Sequence, residues 1–490
     1  MAGIIIDEKS KASSGNNDVQ KTNYTALFTL VTVFFFWGFV AASNDILIPV
    51  FKDTFKLSQM QSQMVSLAFY VAYTVGSLIY MLVSFLSGSD LINRIGYKNA
   101  LSLGLVISAL GTLLFYPAAN MGSFELMLSG LFIVGLGFSL QQTVANPLAI
   151  ALGPISTGSQ RLTLAGGINN FGTTIGPLIV SFAIFGSASS GSTSINLESV
   201  KIPYLILGAA FLVVAIFLKF SKLPDKPQAA SLSDADALSS RKSALHYPQL
   251  LLGMIAIFVY VGVEVATASN LPAYMESNLG FKTNEIAPYI SLYWASLMIG
   301  RWTGAVEAFT GKSSLRNIFR FIAPYLAFAV FLLVNAIASH DLAPFYVYAV
   351  VILLLIGADI ASKGNPATML LIFSILGISA LSIGMLGSGM LSVYAFISVG
   401  LFCSTLWPCI FALAISGLGK HTSQGSSFLI MMIMGGGIVS WLQGFVSDLT
   451  SINLSFIIGI FCFAYLAFYA WTVKDILKKQ GINFDKSTER

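Results

Sequence analysis

Charge is what this chain has least of. Asp, Glu, Lys and Arg make up 10% of its 490 residues, against about 25% in an ordinary soluble chain. Hydrophobic residues make up 56%, and the mean hydropathy is +0.80. A string of soluble domains is excluded. Cysteine is nearly absent too: Cys403, Cys409 and Cys462 all lie in apolar stretches, which excludes a disulfide scaffold. The three histidines, His246, His340 and His421, are far apart in sequence and at segment ends. They offer no metal cluster and no nucleophile–histidine pair, so no metal, cofactor or enzyme chemistry is expected. No glycine-rich loop ends in Lys-Ser or Lys-Thr, so there is no visible site for direct ATP drive. Nothing points to a nucleic-acid partner. The class that remains is an all-α polytopic membrane protein.

At roughly 20 residues per span, the sequence yields fourteen apolar segments, near 25–50, 63–87, 100–117, 123–153, 162–187, 203–220, 247–275, 285–310, 317–338, 344–360, 366–388, 391–418, 425–447 and 453–473. With the amino terminus inside the cell, every Lys and Arg except Lys52, Lys56, Lys201 and Lys282 falls on the cytoplasmic side. Positive residues beside spanning segments resist translocation, so this skew predicts cytoplasmic termini, with tails at 1–24 and 474–490. Residues 1–20 carry no signal-peptide core, because the apolar run Met1–Ile6 is followed by polar residues to Gln20.

A linker rich in Ser, Ala, Asp and Pro, residues 221–246, divides the chain, and the parts on either side repeat one another. Trp37 through Asn44 and Pro49 matches Tyr260 through Asn270 and Pro272; Asn146-Pro147 matches Trp407-Pro408. The shift between the copies grows between the first pair and the second, which requires an insertion, placed at 311–360. The predicted architecture is a six-helix half (25–220), the linker, and a second six-helix half (247–473) carrying an inserted two-helix hairpin. Repeated membrane halves with a site between them describe a secondary transporter.

Residues that lipid does not tolerate mark the candidate site. Asp45 lies in the outward part of the first span and Glu264 well inside the seventh; either carboxyl is a candidate to load and release a proton. Gln141, Gln142 and Asn146 lie on the fourth span and Asn169 and Asn170 on the fifth, with Gln142 and Asn146 four apart on one helix face. Neutral amides offer donors and acceptors to an uncharged polyhydroxylated ligand, and Trp37, Trp294 and Trp407 offer aromatic faces. The alternative for the amides is a set of ties between helices. Gly435-Gly436-Gly437 reads as a close helix contact.

Several stretches resemble the bacterial L-fucose:proton symporter family of the major facilitator superfamily. They are Asn44 through Pro49, Gln142 through Pro147, Leu152-Gly153-Pro154, Arg161-Leu162 with Asn169 through Gly172, Ile299 through Gly304, and the run from Gly425 to Asp448. Val261-Gly262-Val263-Glu264-Val265 is more similar to the glucose/galactose transporter branch. The resemblance spans nearly all of 24–475 apart from the insert. It implies that Asp45 serves protonation and that Asn169 contacts sugar; Asn44, beside Asp45, is counted with the substrate-binding set. It also implies a neutral monosaccharide as substrate, with glucose, galactose or fucose as the models. Two positions depart from the fucose carrier: Gln142 stands where that carrier has a second essential glutamate, and Gly166 where it has a glutamine. The expectation is a monomeric hexose importer of the bacterial inner membrane, coupled to protons first or to sodium as the alternative, with an uncoupled facilitator as the rival.

Overall fold

The computed structural model describes residues 22–86, 95–153, 158–185, 198–224, 243–309, 313–418 and 421–482. Every regular element among them is helical. In chain order they are α1 (Tyr24–Phe55), α2 (Gln59–Ser62), α3 (Met64–Leu86), α4 (Tyr97–Leu113), α5 (Phe115–Met121), α6 (Phe124–Ala151), α7 (Gly158–Phe185), α8 (Glu198–Phe220), α9 (Pro248–Leu279) and α10 (Thr283–Phe309). Then follow α11 (Ser313–Ile337), α12 (Tyr348–Ser362), α13 (Pro366–Leu386), α14 (Gly389–Cys403), α15 (Leu406–Ile415), α16 (Thr422–Met431), α17 (Gly435–Leu449), α18 (Ile452–Ser455) and α19 (Ile457–Lys479).

Local chemistry sets the ends of these helices. Asn23 caps α1 by accepting from the Ala26 amide at 3.0 Å. Pro248 opens α9, and Gly280, with φ of 70°, closes it in the left-handed conformation. α1 and α9 are each 32 residues long, and each carries a proline near its far end, Pro49 and Pro272. The pair that the sequence matched thus forms helices of one design. α1 packs along α7 as α9 packs along α17, and α4 packs on α6 as α13 packs on α14. The two groups meet where α7 lies against α10 and α3 against α17.

Twelve stretches of helix among the described residues are long and apolar enough to cross a membrane. Two of the fourteen expected segments, 162–187 and 285–310, are not among the twelve, although both are helical as α7 and α10. The reason is composition. α7 carries Arg161, Asn169, Asn170, Thr173 and Thr174, and α10 carries Glu285 and Arg301. The last helix continues past the apolar run near 473 to Lys479, ending on Lys478 and Lys479, which suit the negative end of a helix.

α11 and α12 occupy the segment read as an insertion. Only 28% of the apolar window of Ile318–Ile337 is buried inside the protein, against 78% for Gly389–Ile415. Its exposed face carries Ile318, Phe319, Ile322, Leu326 and Leu333, while its other side packs along α10. Arg320 Nε on α11 meets Asp359 Oδ2 on α12 at 3.2 Å, joining the two helices by a largely buried ion pair.

Small residues set the spacing between helix axes. A Cβ on Gly172 of α7 would overlap the carbonyl oxygen of Phe35 and lie 2.9 Å from the Phe39 nitrogen, both on α1. The Gly435-Gly436-Gly437 run is likewise a close contact, as expected: Gly435 abuts the backbone of Phe258 on α9, and Gly437 that of Leu67 on α3. Gly172→Ala should therefore cost about 1 to 3 kcal/mol, visible as a lower unfolding temperature in detergent. Gly304→Ala, where an added Cβ meets nothing within 4 Å, should leave that temperature unchanged or raise it. Equal behaviour of the two variants would contradict the close α1–α7 packing.

Candidate functional site

Between the two groups of helices lies a cavity of about 390 Å³, within the range of small-molecule sites. Each helix that reaches it contributes through a polar or aromatic face. α1 gives Phe34, Trp37 and Ala41; α3 gives Tyr70 and Tyr73; α6 gives Gln142 and Asn146. α7 gives Thr163, Gly166, Asn169, Asn170 and Thr173. From the other group come Tyr260 and Glu264 on α9, Trp294 and Arg301 on α10, and Trp407, Phe411 and Ile415 on α15.

Eight of the residues expected from the sequence converge here: Trp37, Gln142, Asn146, Asn169, Asn170, Glu264, Trp294 and Trp407. Gln141 does not line the cavity. Its amide is fully buried behind the wall, accepting from Trp37 Nε1 at 2.8 Å and donating to Ser108 at 3.1 Å. It therefore fixes the orientation of the Trp37 indole, which is the helix-tie arrangement that was the alternative for these amides. Asn44 and Asp45 lie in α1, and their side chains fall outside the described residues.

The polar groups around the cavity are partly committed and partly available. Gln142 Nε2 donates to the Tyr73 hydroxyl at 3.2 Å, and Asn169 Nδ2 to the Phe34 carbonyl at 2.9 Å. Those bonds leave the Gln142 and Asn169 side-chain oxygens to act as acceptors. Asn170 Oδ1 is buried and has no hydrogen-bond partner, an acceptor that costs stability unless a ligand or water donates to it. On α9 the Tyr260 hydroxyl donates to the Glu264 carboxylate one turn away, and Tyr293 donates to the Glu264 backbone carbonyl at 2.6 Å. Indole and phenyl rings close the remaining walls, with Phe34 against Trp37 at 4.5 Å between centroids and Trp407 beside Tyr260 at 6.2 Å.

Sequence reasoning missed Tyr73, Tyr260 and Arg301 as members of this site. The signal for Arg301 was available, since it is an ionisable residue inside an otherwise apolar segment. For the tyrosines there was none, because aromatic residues recur throughout the chain.

One end of the cavity is sealed by polar contacts between α2–α3 and α9–α17. The Asp448 carboxylate accepts from the backbone amides of Gln59 and Met60 at 3.0 and 2.9 Å. Gln59 Nε2 donates to Asn270 at 3.0 Å, Gln63 Nε2 to the Ser269 carbonyl at 3.1 Å, and Ser66 pairs with Ser269 at 3.2 Å. Nearer the cavity, Thr74 donates to the Met431 carbonyl at 2.7 Å.

The sequence profile described as Major Facilitator Superfamily matches residues 26–390. A glucose/galactose transporter of Brucella abortus biovar 1 (strain 9-941) is 34% identical over 454 residues, covering 92% of this chain and 94% of its own. The L-fucose-proton symporter of Escherichia coli (strain K12) is 28% identical over 492 residues, covering 96% and 98%. The crystal structure of the E. coli fucose:proton symporter superposes with a TM-score of 0.60 at 27% identity, over 91% of this chain and 98% of that one.

The seal makes a prediction of its own. A hydrogen bond to a charged acceptor is worth about 1.5 to 3 kcal/mol, so Asp448→Ala should loosen this end roughly tenfold or more. In a Ser66→Cys background, where the site is now only 2% exposed, alkylation by a bulky maleimide should accelerate by that factor. An unchanged rate would mean that Asp448 does not hold the seal.

Proposed function

The chain belongs to the Major Facilitator Superfamily, and from that premise we propose that it imports a neutral hexose of the glucose/galactose type by symport with a cation, the proton first. The observation that carries this reading is the cavity itself. Its amide oxygens, indole faces and one carboxylate offer hydrogen-bond acceptors and flat apolar walls, the partners that a hydroxyl-bearing ring uses. The glucose/galactose and fucose-proton transporters among its relatives point to the same class of ligand.

In this reading the chain crosses a bacterial inner membrane fourteen times as a monomer, with both termini cytoplasmic. α7 and α10 count as spans because their polar faces turn inward to the cavity rather than to lipid. The halves are 25–220 and 247–473, joined by the linker 221–246, and α11 with α12 form the hairpin inserted at 311–360. The halves rock about the cavity, exposing it to one side at a time. Since α1 runs outward from the cytoplasm, the seal at Asp448 closes the outer end. Trp37, Asn44, Gln142, Asn146, Asn169, Asn170, Glu264, Trp294 and Trp407 surround the sugar, with Gln141 acting through Trp37. Asp45 is the carboxyl whose protonation couples sugar entry to the proton gradient.

Reconstituted into proteoliposomes, the protein should accumulate hexose when the outside is acidic and fail to do so under a sodium gradient alone. Asp45→Asn should abolish accumulation yet retain counterflow, because a permanently neutral group still permits exchange of the loaded carrier. Accumulation by that variant would remove Asp45 from the coupling role. Accumulation driven only by sodium would replace the proton. Glu264→Ala should weaken sugar binding tenfold to a hundredfold, the loss of a charged acceptor, and Glu264→Gln should weaken it less. Undiminished binding in both variants would show that Glu264 does not face the sugar.

A further inference from the structure

Glu264 and Arg301 are the only charged side chains among the described residues that line the cavity. They stand on α9 and α10, which pack on one another, and both face the same cavity. Arg301 also reaches across to the opposite group of helices, where Nη1 donates to the Gly166 carbonyl of α7 at 3.4 Å, the long limit for such a bond. The absence of a side chain at 166 makes room for it, since a Cβ there would lie 3.1 Å from Nη1. The next residues repeat the arrangement, with the Trp302 indole 3.1 Å from where a Cβ on Gly167 would be. A guanidinium carries five donors and cannot lose its charge. One long bond to a carbonyl leaves most of those donors uncommitted within the cavity.

We propose that Arg301 is a second sugar-contacting residue and that its charge, set against that of Glu264, makes the cavity selective for uncharged ligands. This rests on the sugar-transport reading above. The glycine at 166 lets the guanidinium lie close against α7, and the sugar uses the uncommitted donors together with the one that the Gly166 carbonyl holds only weakly. With both groups ionised the cavity is balanced, so an added ligand charge of either sign is left without its own counter-charge in a poorly solvated space. Removing one member of the pair should then invite a ligand of the opposite charge to the member that remains.

The test measures binding to the full-length protein in detergent, through quenching of Trp37, Trp294 and Trp407, with galactose and its anionic uronate as probes. Wild type should bind galactose at least tenfold more tightly than the uronate. Glu264→Gln should erase or reverse that preference, because Arg301 is then unopposed. Adding Arg301→Gln should restore discrimination against the uronate, whereas adding Arg301→Lys, which keeps the charge, should not. Arg301→Gln alone should weaken galactose roughly tenfold or more. Should Glu264→Gln still reject the uronate as wild type does, or Arg301→Gln bind galactose unchanged, the proposal falls. The Glu264→Gln arm decides the matter even if the arginine variants fold poorly. A wild-type protein that binds neither probe overturns the sugar reading, and the pair's proposed role with it.

Discussion

Hydrocarbon satisfies no hydrogen bond, and that constraint organises the whole molecule. Each polar side chain in the apolar stretches must find a partner in the protein or face an enclosed aqueous space. The result is a division of labour among helices. α11, α12 and the outer faces of the bundle carry Ile, Leu and Phe to the exterior, whereas α7 and α10 collect amides, hydroxyls and a guanidinium on the side that meets the other group. The same polarity that disqualifies these two helices as apolar spans is what gives the cavity something to recognise.

Close approach of backbones makes the arrangement possible. The α1–α7 contact depends on glycine at 38, 172 and 176, and the α9–α17 contact on Gly435. With apolar side chains gaining nothing by leaving lipid, helices associate through tight packing and polar ties. The Trp37–Gln141–Ser108 chain of hydrogen bonds is such a tie, and it orients an indole at the cavity wall. The polar seal around Asp448 is of another kind: it joins elements far apart in the sequence through groups that water can readily satisfy instead.

Much of this was legible in the sequence because lipid enforces simple rules. Apolar length marked the helices, and repeated Gly, Asn and Pro positions marked α1 and α9 as counterparts. Intramembrane Glu264 and the Gln142–Asn146 and Asn169–Asn170 amides marked the cavity. What escaped notice depended on packing across the molecule. Gln141 and Gln142 are neighbours in sequence, yet one anchors a tryptophan behind the wall and the other faces the cavity. Spacing along one helix cannot separate those roles without knowing where α1 and α4 stand. Likewise Gly166 read only as a departure from a relative's pattern, and its physical meaning emerged from the guanidinium of Arg301, distant in sequence, lying beside it.

Symport requires that sugar and proton enter together. The decisive measurement adds galactose to de-energised, weakly buffered vesicles containing the protein and records the external pH. Proton symport gives a sugar-dependent alkalinisation, absent without the protein and absent in Asp45→Asn even though that variant still exchanges sugar. Sugar entry by the wild-type protein with no movement of protons would contradict it.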